Sequence, residues 1–232
     1  MKTNKLEAIA KVGILPVIAI PSLDAAVPLA RALMKGGISA IEVTLRTPCA
    51  LDAIAAIRKA FPAMAIGAGT ILKEEHVAAA RLAGADFLVS PGLDPVIVRA
   101  AQAAGMPIVP GVTNPSEITA AVKMGLRLLK FFPSEVNGGI SALALMHGPF
   151  PEVRFVPTGG MTLQNIGSYL AKDFVAACGG SYMAKGADVK AGAWDKISAA
   201  CARCVDVARR ARDPERGGKA FPRHHAEMAN SI

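Results

Sequence analysis

Eight short apolar or β-branched runs recur along this chain every 20 to 26 residues, each closed by Gly, Pro, Ser, Thr or Asn and followed by an amphipathic, Ala-rich segment. The runs occupy residues 14–20, 40–45, 65–67, 87–90, 107–109, 128–132, 154–157 and 174–178. Helical composition fills 23–35, 50–60, 74–83, 95–104, 116–123, 139–146, 163–170 and 194–212, and glycines such as Gly36-Gly37, Gly84 and Gly105 stand where helices should end. Strand, loop and helix repeated eight times predict an α/β fold, a (β/α)8 or TIM barrel, over residues 1–212. An extra N-terminal helix at about 2–11 is placed to cover the N-terminal mouth of the barrel. The competing doubly wound sheet would carry G-x-G-x-x-G after its first strand, where this chain reads Ile20-Pro21-Ser22-Leu23-Asp24. Asp213-Pro214 stops the last helix, and 213–232 predict a flexible basic tail whose His224-His225 reads as a solvated dipeptide.

The formal charge of +8 raises the question of a nucleic-acid or membrane partner. From Arg203 onward seven basic and four acidic residues place +3 of it in the last helix and tail. The rest is scattered, with few aromatic side chains to stack on bases, so the expectation is no nucleic acid but a barrel that favours small anionic substrates. No apolar window is long enough for a bilayer; the stretch at 14–21 is too short and follows a helix-like segment containing Glu7. Cys49, Cys178, Cys201 and Cys204 form no disulfide framework, and Cys201-x-x-Cys204 sits in a helical stretch without a redox context, which reads as packing. These features predict a cytoplasmic enzyme without membrane contact.

In a barrel of this kind, chemistry collects where strands end on the C-terminal face. Along 40–46, Ile41, Val43 and Leu45 alternate with Glu42, Thr44 and Arg46, so the apolar set should meet the helices and the polar set should point inward. Lys130, in Leu128-Leu129-Lys130-Phe131-Phe132, is the one lysine with two apolar neighbours on each side. A lysine inside a barrel suffers several kcal/mol of desolvation, usually answered by a lowered pKa that frees the amine to attack a ketone. The bland alternative is an amine snorkelling to the mouth or paired with Glu42 or Glu135. Thr158-Gly159-Gly160 and Gly179-Gly180-Ser181 follow the seventh and eighth runs, where such barrels commonly hold phosphate on backbone N–H groups. Gly67-Ala68-Gly69-Thr70, Ser90-Pro91-Gly92 and Pro110-Gly111 supply small residues that leave a cavity, with Thr70 placed to donate to a carboxylate near Arg46. His76 and His147 lie away from strand ends, so no metal is expected.

Together Glu42-Val43-Thr44-Leu45-Arg46-Thr47, Gly67-Ala68-Gly69-Thr70, Lys130-Phe131-Phe132-Pro133, Pro157-Thr158-Gly159-Gly160 and Gly179-Gly180-Ser181 resemble the 2-keto-3-deoxy-6-phosphogluconate aldolase family, also described as 4-hydroxy-2-oxoglutarate aldolases. The resemblance runs from about Leu6 to Arg209. It implies a homotrimeric class I aldolase that needs no metal and no cofactor and takes a phosphorylated ketoacid as its small-molecule partner. Carried onto this chain, Lys130 forms the imine and Glu42 moves protons. Arg46 and Thr70 hold the ketoacid carboxylate, Phe132 packs over the reacting carbons, and Pro91 shapes the wall. Thr158 bonds a sugar hydroxyl, while Gly159, Gly160, Gly180 and Ser181 receive the phosphate. A galactonate-epimer aldolase, a sugar-phosphate isomerase or synthase working without an imine, and a non-catalytic phosphosugar-binding barrel are the competing readings.

Overall fold

Alternation within each apolar run decides which face it buries, and parallel pairing then carries the choice from strand to strand. In the computed structural model, which describes residues 5–213, β1 (Ile14–Ile18), β2 (Ala40–Thr44), β3 (Ala65–Gly69), β4 (Phe87–Val89) and β5 (Ile108–Val109) pair in chain order. β6 (Gly111–Val112), β7 (Leu128–Phe131) and β8 (Arg154–Pro157) continue that order, and β9 (Cys178–Gly180) pairs with β1. Parallel bridges Phe155–Val175 and Thr158–Gly179 join β8 to the last strand, closing the expected (β/α)8 barrel.

The helices are α1 (Lys5–Val12), α2 (Leu23–Lys35), α3 (Ala50–Ala60), α4 (Glu74–Leu82), α5 (Pro95–Ala103), α6 (Pro115–Lys123), α7 (Gly139–His147), α8 (Ile166–Leu170), α9 (Gly186–Lys190) and α10 (Trp194–Arg212). Asp94 and Asn114 cap α5 and α6, each followed by a proline whose missing N–H costs a helix nothing in its first turn.

Five local features depart from the sequence pattern. Pro110 splits the fifth strand into β5 and β6, because proline donates nothing to the ladder, although its carbonyl still accepts from the Lys130 amide at 2.8 Å. The regular part of the last strand lies at Cys178–Gly180 and not at 174–178, so Gly179 and Gly180 belong to the strand end instead of a following turn. α8 begins at Ile166 because Thr162 and Asn165 hold the preceding segment as a turn, the Thr162 amide donating to Asn165 Oδ1 at 2.8 Å. A 3-10 turn at Glu135–Asn137 and the short α9 were not expected.

Two apolar layers result. The larger lies between sheet and helices and holds Ile41 and Val43 of β2. The smaller fills the lower barrel with Leu15, Ala40, Ala65, Phe87, Val89, Val109, Val156 and Ala177, and Ile9 of α1 plugs it from below. Side chains filling the bottom leave polar groups only the upper half. The tail expected at 213–232 lies, from residue 214, outside the described residues. No helix among the described residues is long and apolar enough to cross a membrane.

Candidate active site

Glu42 sits in β2 opposite Gly67 of β3, and Lys130 sits in β7 between Gly111 of β6 and Val156 of β8. Both therefore point into the barrel from nearly opposite walls, and Lys130 Nζ lies 3.7 Å from Glu42 Oε1. The side chains are 8% and 2% exposed. At that separation they form an ion pair, too long for a hydrogen bond, and Oε1 has no other protein partner among the described residues. Burial pushes the Glu42 carboxyl above its ordinary pKa of 4.5, with the lysine charge pulling the other way. Keeping such a pair where apolar residues would pack as well costs stability, which points to chemistry.

The neighbouring glycines make room for this arrangement. A Cβ on Gly69 would stand 2.1 Å from Glu42 Oε1, so the missing side chain is the space in which the carboxylate rests. A Cβ on Gly67 would meet the Phe87 ring at 2.2 Å, and one on Gly111 the Pro91 carbonyl oxygen at 2.0 Å. At these three glycines ring, carboxylate and backbone fill the position of the missing side chain, whereas a Cβ on Gly92 would meet nothing within 4 Å.

Above the pair, the Phe132 ring centroid lies 5.0 Å from Lys130 Nζ. Thr44 is buried, its hydroxyl donating to the Ile18 carbonyl at 3.3 Å. β2 ends at Thr44, the Arg46 amide turns back to the Thr44 carbonyl at 2.8 Å, and Arg46 is exposed at the rim. The Thr44–Gly69 register brings that turn beside Thr70. Thr70 holds φ at 61°, a left-handed conformation that a β-branched residue adopts at a cost of about 1–3 kcal/mol and only when its surroundings impose it. Pro91 is exposed at the end of β4, beyond Ser90, whose hydroxyl donates to the Gly92 carbonyl at 2.8 Å.

The second part of the site is made by backbone. The Thr158–Gly179 bridge sets Gly159-Gly160 beside Gly180-Ser181. Thr158 is buried against Gly179, where a Cβ would come within 2.4 Å of its hydroxyl oxygen. Gly159 and Gly160 hold φ at 93° and 82°, and no acceptor among the described residues takes the N–H groups of Gly159, Gly160 or Ser181. This cluster of small residues at the mouth suits an anion. Two residues here escaped the sequence reading, Ser134 and Tyr169; the Tyr169 hydroxyl hydrogen-bonds both Ser134 and Glu135 beneath the Gly159-Gly160 turn. Glu135, one of two candidate partners for Lys130, is engaged by Tyr169 instead. Elsewhere, His76 Nδ1 accepts the Leu72 amide and His147 stacks on Phe174, and among the described residues no three His, Cys, Asp or Glu gather as metal ligands would.

Comparison with known proteins agrees with this geometry. The sequence model of the KDPG and KHG aldolase family matches residues 6–200. The KHG/KDPG aldolase of Escherichia coli (strain K12) is 43% identical over 208 residues, covering 90% of this chain and 98% of that protein. A crystal structure of KDPG aldolase from Legionella pneumophila, with pyruvate captured at low pH as a covalent carbinolamine intermediate, superposes with a TM-score of 0.83 at 39% identity, covering 87% of this chain and 98% of that one. The Zymomonas mobilis ZM4 enzyme, 2-keto-3-deoxy-6-phosphogluconate aldolase crystallised with 3-phosphoglycerate, gives a TM-score of 0.79 at 38% identity, over 86% and 94% of the two chains. A family match over most of the length, close relatives and a barrel holding a buried lysine–glutamate pair converge: this chain belongs to the KDPG and KHG aldolase family.

Proposed function

We propose that the chain is a class I aldolase that cleaves 2-dehydro-3-deoxy-6-phosphogluconate to pyruvate and glyceraldehyde 3-phosphate, and also 4-hydroxy-2-oxoglutarate to pyruvate and glyoxylate. The observation that carries this reading is the buried pair, Lys130 Nζ lying 3.7 Å from Glu42 Oε1. Glu42 is placed to take a proton from the amine, and Lys130 then attacks C2 of the ketoacid to give a carbinolamine. Glu42 returns that proton to the carbinolamine hydroxyl, and its loss as water leaves an iminium. Glu42 removes the C4 hydroxyl proton, the C3–C4 bond breaks, and its electron pair enters the iminium to form a pyruvate enamine as the aldehyde departs. Protonation at C3 and hydrolysis release pyruvate and restore the lysine. A carboxyl whose pKa is raised by burial holds and returns protons closer to neutrality than a surface carboxylate does.

Arg46 and Thr70, adjacent at the rim, receive the ketoacid carboxylate, and the Phe132 ring covers the reacting carbons near Nζ. Pro91 shapes the wall, Thr158 offers its hydroxyl to the sugar, and Gly159, Gly160, Gly180 and Ser181 receive the phosphate, with the amides of Gly159, Gly160 and Ser181 donating to it. The family supports a homotrimer in the cytoplasm. The exposed apolar side chains of Val136 and Leu145 suit a subunit contact, and light scattering of the purified protein reads the number of copies.

Borohydride reduction in the presence of pyruvate tests the chemistry. The peptide containing Lys130 gains the mass of the reduced pyruvyl adduct if the reading holds, and an unmodified Lys130 sinks it. Arg46→Ala raises KM for both ketoacids with a smaller change in kcat, and an unchanged KM removes Arg46 from the carboxylate site.

A further inference from the structure

The aldolase reading leaves one buried hydrogen-bonded group beside the site without a task. Tyr169 of α8 is 1% exposed, and its hydroxyl meets two residues of the loop that follows Lys130. It donates its single proton to Glu135 Oε1, so the Ser134 hydroxyl, 3.0 Å away, must donate to the tyrosine oxygen. Burial and the carboxylate both raise the tyrosine pKa, which keeps the proton on its oxygen.

The same loop carries the Gly159-Gly160 turn. The Ser134 amide donates to the Thr158 carbonyl at 2.8 Å, and the Glu135 amide to the Gly159 carbonyl at 3.1 Å. A Cβ on Gly160 would lie 2.4 Å from Glu135 Cγ, and one on Gly139 would lie 3.2 Å from both Glu135 Oε1 and Tyr169 Oη. The Glu135 side chain is thus the floor on which the Gly160 backbone rests, and Tyr169 holds that floor in place. A carboxylate this near the amides expected to take a phosphate dianion repels it, and donation from the Tyr169 hydroxyl offsets part of that charge.

We propose that Tyr169 is a positioning residue for the phosphate-bearing half of the substrate, acting through Glu135 on the Gly159-Gly160 turn. The proposal rests on the aldolase reading and deepens it: the Lys130–Glu42 chemistry does not need this latch, whereas recognition of a phosphorylated substrate does. Tyr169→Phe keeps the ring and removes only the hydroxyl; Glu135→Ala removes the floor; Glu135→Gln keeps an acceptor for Tyr169.

Steady-state kinetics on two substrates test it. Tyr169→Phe and Glu135→Ala are expected to raise KM for 2-dehydro-3-deoxy-6-phosphogluconate about tenfold, as expected for loss of a hydrogen bond to a charged group. They should alter kcat/KM for unphosphorylated 4-hydroxy-2-oxoglutarate less than about twofold, a change too small to indicate a lost interaction. Inorganic phosphate should inhibit these two variants more weakly than the parent, and Glu135→Gln should behave like the parent. Equal losses on both substrates, or no loss on the phosphorylated one, overturns the proposal. Should Tyr169→Phe fail to fold, Glu135→Ala, altered on a loop surface, gives the same comparison. Absence of borohydride-trapped pyruvate in the unaltered protein refutes the underlying chemistry instead, so the two failures are distinguishable.

Discussion

At the scale of single residues, the site trades stability for chemistry. Removing Lys130 alone strands a buried carboxylate, but replacing both partners by neutral side chains of similar size removes two desolvation penalties at once. Lys130→Met is expected to abolish cleavage, and Lys130→Met with Glu42→Gln to be inactive yet more stable than the parent by about 1–4 kcal/mol in urea titrations. A double variant less stable than the parent would mean that the pair is structural. The raised Glu42 pKa makes a second claim. The folded protein binds that proton more tightly than the unfolded chain, so the stability it contributes is full below pH 4.5 and is lost as pH rises through the elevated value. Relative to Glu42→Gln, the parent should therefore lose stability between acid and neutral pH. A parallel pair of pH profiles contradicts the assigned burial.

Between residue and fold, the elements decide what each side chain can reach. In β3, Gly69 leaves the volume that the Glu42 carboxylate occupies, and its φ is not one that excludes a side chain. Gly69→Ala should fold, displace Glu42 and lower kcat on the order of a hundredfold, as misplacement of a reacting group by about 1 Å does. Unchanged kcat would show that Glu42 can work from elsewhere. In α10, Cys201 and Cys204 both face inward, and burial pushes their thiols up to about 12 and 11, which makes the C-x-x-C spacing a packing feature.

For the whole molecule, closure of the barrel brings α10 back to α1. Arg212, the last residue of α10, donates to the carbonyls of Ala10 and Ala176, tying the final helix to α1 and to the segment before β9. Arg212→Met should cost about 2 kcal/mol, the usual value of hydrogen bonds from a charged donor, read as a lowered Tm with kinetics unchanged. An unaltered Tm would place closure elsewhere. What the sequence determined alone was the periodic part: eight apolar runs, their alternation along β2 and a lysine among Leu and Phe prescribe the barrel and the inward Lys130, because secondary-structure period and burial are local properties of a chain. The length of regular pairing was less legible, as Pro110 and the Gly179-Gly180 strand end show, since it depends on what the neighbouring strand offers. Only the tertiary structure decided that Glu42 and not Glu135 faces Lys130, that Arg46 stands at the rim, and that Tyr169 braces the glycine turn. Those pairings join residues up to 88 positions apart, as Glu42 and Lys130 are, and where strands end and glycines leave room sets which partner is reached.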